Sequence, residues 1–478
     1  MKKALIISSV LLILVVLMTA VSAADNTSVL SQENDEIIAI ENTQINEIEN
    51  STAGTDTSFG QELSFTSESN IVSPKSTDSQ SKNVKKTNFK NDILTATNQD
   101  ILTAVINLNG GSFTDIQNAI TNDGDTIYLN GGTYTGSGTE IAVGKQINIY
   151  GGSQENPNLQ ATLDADVLSG IFIITAPNVN ISSIKFINGH SSLQIAYHGD
   201  TTNRTVGGAI FWDANNGTLT NCQFNNNATW GGGAVYINGS NLQVENCNFT
   251  NNTGQGGAID IYGNNNLLNN LNFINNNGSS KAFNYDRSDG GALVIAGSNN
   301  ILNNSNFINN TCDDTGGALF INSAGNGNKV LNSNFTDNKL NKQVNNWPVG
   351  GAIAVESDDT LIENCNFKNN AAEGSKANCE PSGGAIGFIR GNNCTVNNCN
   401  FTGNNATVNG GAIGTLDANA NNLTISNCIF INNTAQNGGS IYTSSSNGIV
   451  DKLSIYKQQC INWWWSNLLE WNKWNYEK

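Results

Sequence analysis

The chain has 478 residues, a formal net charge of −17 and only 13% charged residues, with 48 Gly, 5 Pro and 2 His. An acidic chain without a basic stripe argues against nucleic acid as a partner. Two histidines, His190 and His198, leave little material for a metal site or for histidine-based catalysis. Abundant Gly and Asn with so few prolines fit a turn-rich all-β chain better than a helical one.

Residues 1–23 read as a secretory signal peptide. Lys2 and Lys3 form its positive end, Ala4 to Ala20 its apolar core and Val21-Ser22-Ala23 its small-residue cleavage site. An uncleaved anchor is the rival, because the apolar run approaches a membrane span. No later stretch is long and apolar enough to span, so the mature protein is expected outside the cell, secreted or on its surface. Residues 24–95 are rich in Ser, Thr, Asn, Gln and Glu and cannot bury enough apolar surface to offset ordering, which makes them a disordered polar spacer. Asn-x-Ser/Thr sequons begin there, at Asn26 and Asn50, and continue downstream. A chain this rich in Asn and Thr also makes sequons by chance.

Residues 96–451 carry the ordered pattern. Phe113, Ile116 and Ile120 stand at helical spacing behind Ser112, a candidate N-cap. A short helix there would cover the open end of a stack of strands. Short strands between Gly/Asn turns follow, at 126–129, 132–134, 147–150 and 171–174. From Phe186 the pattern locks. Phenylalanines stand at 224, 249, 273, 307, 335, 367, 401 and 430, and Gly-Gly pairs begin at 207, 232, 256, 290, 316, 350, 383, 410 and 438. From a pair's first Gly to the next Phe is 17 residues in five copies and 18 to 20 in the other three. No single copy can bury its apolar face, whereas stacked copies can.

One coil reads as three strands. Ala258–Tyr262 turns Ile259 and Ile261 inward, Leu242–Val244 turns Leu242 and Val244 inward, and Cys247–Phe249 turns Cys247 and Phe249 inward. Asparagines mark the corners, three before each Phe (Asn246, Asn270, Asn364) and three after (Asn252, Asn276, Asn370). Asn tolerates the left-handed corner conformation, and in register its amides can ladder from coil to coil, so these positions are structural. Cys222, Cys247, Cys365, Cys399 and Cys428 share one inward slot and read as free buried thiols, since one strand spacing is slightly wide for a disulfide. Cys379–Cys394 is a weak disulfide candidate.

Gly-Gly-Ala-Ile with Phe-x-x-Asn resembles the repeat of polymorphic outer-membrane proteins. Signal, polar spacer, helix-capped first coil and Asn-rich coils together resemble the adhesin-like surface proteins of methanogenic archaea. The resemblance spans most of Ile101 to Val450 and implies a right-handed parallel β-helix at or near a cell surface. It is specific for fold and not for activity.

At residues 452–478 the repeat breaks off into a Trp- and Lys-rich tail. Read one base later, Trp463-Trp464-Trp465 becomes three glycines, and permissible codons for 452–476 allow NLVFINNSALIGGGAIYWNGINGI, another copy of the repeat. Its Phe falls at codon 455, which is 17 after Gly438. A one-base slip between Val450 and Lys452 explains this. An evolved aromatic tail for interfaces or sugars is the rival.

Function is sought in the variable half of the repeat. Phe to the next Gly-Gly takes 7 to 9 residues in five copies, but 17 after Phe273, 15 after Phe335 and 16 after Phe367. These insertions leave from one corner and carry Phe283, Tyr285, Asp286, Arg287 and Asp289, then Trp347, then Lys376. Insertions in stacked repeats collect on one face, often the binding face, although neutral loop growth costs little. The outward row of the Ala258-type strand, with Tyr236 and Phe320, is a second candidate surface. For catalysis, Asp313-Asp314, Asp358-Asp359 and Asp286/Asp289 with Arg287 are the available carboxylates, and none sits in a recognisable catalytic signature. The expectation is a non-catalytic protein for adhesion or recognition of a cell-surface glycan or protein, with no cofactor and no metal. The alternative is an extracellular polysaccharide lyase or glycoside hydrolase. Oligomeric state is not legible.

Overall fold

A computed structural model describes residues 103–196, 203–279, 288–340, 348–374, 380–416 and 420–460. They form a parallel β-helix. Two sheets of thirteen strands and one of eleven make its three faces, and an eight-strand ladder runs beside them. In each coil the chain crosses the first face (as at Gln243–Glu245), then the second (Asn248–Thr250), then the short ladder (Thr253–Gly254), then the third face (Ile259–Ile261). Twelve strand spacings give a stack about 58 Å long.

Sequence alternation sorts the side chains as expected. Ile259, Ile261, Leu242, Val244, Cys247 and Phe249 all lie in one continuous core. The phenylalanines of the second face pair in register, and from Phe186 to Phe430 their rings stack at 4.5–5.0 Å with planes within 14° of parallel. Each ring fills the gap left by the ring below, so a single residue choice is repeated wherever a coil is added.

The two asparagine rows divide the work. The row three before each Phe takes the left-handed conformation (Asn246 φ 55°, Asn270 φ 55°, Asn364 φ 56°), and its exposed amides link neighbours, as in Asn270 Nδ2 to Asn246 Oδ1 at 2.7 Å. The row three after each Phe is buried. Asn276 Oδ1 accepts the backbone and side-chain N–H groups of Asn252 (2.9 and 3.0 Å), while its Nδ2 donates to Phe249 O and Asn310 Oδ1. Asn370 does the same one coil after Asn338. Each buried amide thus satisfies the backbone of a corner that no other group reaches.

The short ladder, two residues per coil from Thr253–Gly254 to Gln459–Cys460, is absent from a reading of three strands and three corners. It arises because the buried asparagine lets the chain run straight for two residues before the glycine corner. After it, single residues bridge coil to coil: Asp289 to Thr315, then Val349, Ser382, Asn409 and Asn437. The glycine pair follows. Gly350 has φ 74°, and a Cβ on Gly351 would overlap the carbonyl of Gly384 in the next coil. The first glycine is there for its backbone angle and the second for close approach.

Helix α1 (Phe113–Ala119) packs Phe113 and Ile116 on the first coil. Ser112 precedes it, and its N–H and hydroxyl both donate to Asp115 Oδ2, at 2.7 and 2.8 Å. Eight cysteines are free thiols, Cys394 among them, so the Cys379–Cys394 disulfide is not formed; Cys379 itself lies outside the described residues. At the other end pairing does not stop at residue 451. Ser454–Tyr456 continues the second face and Gln459–Cys460 the short ladder.

Candidate functional site

The site is the edge where the short ladder meets the glycine corners. Three stretches outside the described residues, 280–287, 341–347 and 375–379, each leave after a ladder strand (Asn277–Gly278, Lys339–Leu340, Ala371–Ala372) and return at a bridge residue (Asp289, Val349, Ser382). A fourth insertion enters in the same place. The antiparallel hairpin Gln194–Ala196/Asn203–Thr205 lies between the second-face strand Ile184–Ile187 and the bridge residue Val206. In the sequence its only signal is the long gap from Phe186 to Gly207, which falls ahead of the regular spacing that starts at Phe224.

Phe283, Tyr285, Asp286, Arg287, Trp347 and Lys376 lie outside the described residues. Tyr236 and Phe320 are corrected. Both are completely buried, not a solvent-facing row. Alternation does turn them away from the main core, but the chain returns across the third face at the bridge residues. Phe211 and Tyr236 are covered by Val206, Leu193 and Ile195 of the hairpin segment, and Phe320 by Val349. A second apolar layer occupies the face that the sequence offers as a candidate surface.

One ionisable group sits in that layer. Asp260 pairs in register with Tyr236 on one side and Val294 on the other, between the two apolar clusters. It is fully buried, and neither carboxylate oxygen accepts a hydrogen bond of good geometry. Burial pushes its carboxyl up to about 8; the Gly232 N–H opposes this and the charge of Asp289 adds to it. Gly256 lies directly on the carboxylate, with no room for a Cβ. Here the corner itself differs. The positive φ falls on Gly257, the second glycine of its pair, while the backbone of Gln255 still bonds to Trp230 O and to Asp289 N. Gln255 Nε2 reaches Asp289 Oδ2 at 3.4 Å.

The two neighbouring pairs, Asp313-Asp314 and Asp358-Asp359, hold the chain in place. Asp313 and Asp314 are buried and clamp the roots of the 280–287 insertion: Ser279 Oγ donates to Asp313 Oδ2 (3.2 Å) and Ser288 N to Asp314 Oδ2 (3.0 Å). Asp358 and Asp359 join corner ladders with Asn392 and Asn393. On the hairpin, the Arg204 guanidinium lies over the Trp230 ring at 5.0 Å, and Thr205 Oγ1 accepts the Trp230 backbone N–H. Among the described residues no group of three or more acidic, His or Cys side chains could hold a metal ion, and no helix is long and apolar enough to cross a membrane.

The family model for a right-handed β-helix region matches residues 169–348. No curated protein matches the sequence. Among solved structures, the catalytic domain of a GH87 α-1,3-glucanase bound to nigerose is 15% identical, covering 77% of this chain and 65% of its own, with a TM-score of 0.41. A PL6 alginate lyase bound to a trisaccharide is 14% identical over 76% of this chain and 86% of its own, TM-score 0.40. PfbA, a surface adhesin of Streptococcus pneumoniae, is 15% identical over 72% and 84%, TM-score 0.39. The chain therefore spans under two thirds of the glucanase domain, and the likeness is one of fold. It also corrects the expectation of a non-catalytic chain: two of these three structures are carbohydrate-active enzymes, so the fold gives no ground for ruling catalysis out.

Proposed function

We propose that this is an exported, adhesin-like surface protein whose insertion-bearing edge recognises a cell-surface glycan or protein. The observation that carries the reading is that the roots of four insertions fall at one point of the coil, held by buried groups such as Asp313 and Asp314. A rigid stack that holds loops at fixed spacing suits recognition of an extended partner. The hairpin adds an Arg204–Trp230 pair to that edge. The test is binding to glycan arrays and to intact cells by the full chain and by variants that shorten residues 280–287, 341–347 and 375–379 to Gly-Ser links. Loss of binding with retained far-UV circular dichroism is expected. Undiminished binding by the triple variant would place recognition elsewhere.

A second reading, an extracellular polysaccharide lyase or hydrolase, draws on Asp260. A carboxyl held protonated at neutral pH beside a second carboxylate is the arrangement of an acid catalyst. It lies beneath Gly256, however, and substrate reaches it only if that corner opens. Release of reducing or unsaturated ends from alginate, α-1,3-glucan or cell-wall polysaccharide, lost in Asp260→Asn, would establish this reading in place of the first.

A further inference from the structure

The last described coil keeps the geometry of the repeat but not its residues. Lys452 (φ 49°) and Lys457 (φ 54°) stand in the left-handed corner positions that the two preceding coils fill with Asn427 and Asn432 or with Asn398 and Gly403. Lysine at such an angle is strained where Asn or Gly is not. Ile455 pairs with Phe430, the inward slot of the phenylalanine stack, yet is 52% exposed; Tyr456 beside it is 57% exposed and Ile449 44%. Gln458 stands in for the buried asparagine. Its Oε1 accepts the Asn433 N–H at 2.8 Å and its Nε2 donates to Phe430 O at 2.8 Å.

The genetic code turns these misfits into a constraint. Lysine codons are AAA or AAG and glutamine codons CAA or CAG. The codons after Lys452, Lys457 and Gln458 begin with T or C. Read one base later, each of these three positions can encode only Asn or Ser. Position 455 becomes Phe, Ser or Tyr. Trp463, Trp464 and Trp465 become Gly without choice, eight residues after position 455, inside the 7-to-9-residue span of the uninserted copies. The structure thus shows which positions want Asn and Phe, and the same positions are those a one-base shift restores.

We propose that the end of the stack, Ile449–Cys460, is an internal interface shaped to carry a further coil of this same repeat. The reading frame slips by one base at codon 452, within that last coil, and the Trp-rich residues 461–478 are the misread copy of the coil that follows it. The occupant of the end face is therefore this chain's own continuation rather than a separate partner.

Sequencing genomic DNA and transcript across codons 445–478 tests the coding half. The expected result is Asn at 452, 457 and 458 and Phe at 455 in the shifted frame, open past codon 478. A stop codon in that frame, or Ser at the three Asn positions, overturns it. The structural half is tested in the full chain with Lys452→Asn, Ile455→Phe, Lys457→Asn and Gln458→Asn combined. A rise in Tm of about 2–4 °C is expected, and an unchanged or lower Tm overturns the claim that these are repeat positions.

Discussion

Asp260 is the residue whose chemistry is most at odds with its place. A carboxyl raised above its unfolded value favours the folded state while protonated. Its stabilising effect is complete below the ordinary carboxylate range, is lost as pH climbs towards 8, and changes no further above that. Asp289, half-buried on the next corner, is the charge that ionised Asp260 must face. Asp260→Asn keeps the shape without the charge. It should stabilise the protein by roughly 2–4 kcal/mol at pH 8 and by little at pH 4. Urea denaturation at both pH values checks this; equal effects at the two would mean that Asp260 has the same pKa folded as unfolded. Sequence alternation places this side chain outward and is right to do so. It carries no information on whether the chain later comes back to cover it.

At the level of the element, the two asparagine rows look alike in sequence and differ in energetics. Asn276→Ala removes a bond from each of four buried groups and leaves the Asn252 N–H and Phe249 O without their asparagine partner, while the Asn252 amide keeps Phe224 O and Asn310 Oδ1 keeps the residue-276 N–H, at a cost of about 3–5 kcal/mol. Asn270→Gly keeps the left-handed corner and loses one exposed hydrogen bond, for about 0.5 kcal/mol or less. Denaturant midpoints of the two variants should separate clearly, and similar midpoints would refute the division of labour. The spacing of Phe, Asn and Gly-Gly makes the three faces, the inward residues and the helical cap legible in the sequence alone, because each follows from local periodicity. The short ladder is not legible there, being only two residues long and lacking alternation. Neither is the burial of Tyr236 and Phe320, which depends on Val206, Leu193 and Val349 arriving from separate corners. The hairpin at 194–205 announces itself only by the length of a gap.

On the scale of the whole molecule, each coil packs chiefly on its two neighbours, with Gln160 reaching across to Asn221 and Gln223 two coils on, so stability passes along the stack rather than around a common centre. Protection against amide exchange should be highest in the coils between Phe224 and Phe401 and lowest in Ile441–Cys460, where Ile449, Ile455 and Tyr456 are exposed. Hydrogen-exchange mass spectrometry reads this directly; uniform protection to Cys460 would show the end to be as well covered as the middle. The stacked phenylalanines have a further consequence. The upper surface of one coil accepts the lower surface of any other, because both present the same ring, the same buried amide and the same glycine. A gene can therefore gain or lose an entire coil by unequal recombination, and the protein changes length without any interface having to be reinvented. Such a lineage can vary its reach in whole coils, while changes of length smaller than a repeat gather at the corner between Phe and Gly-Gly, where the insertions already enter.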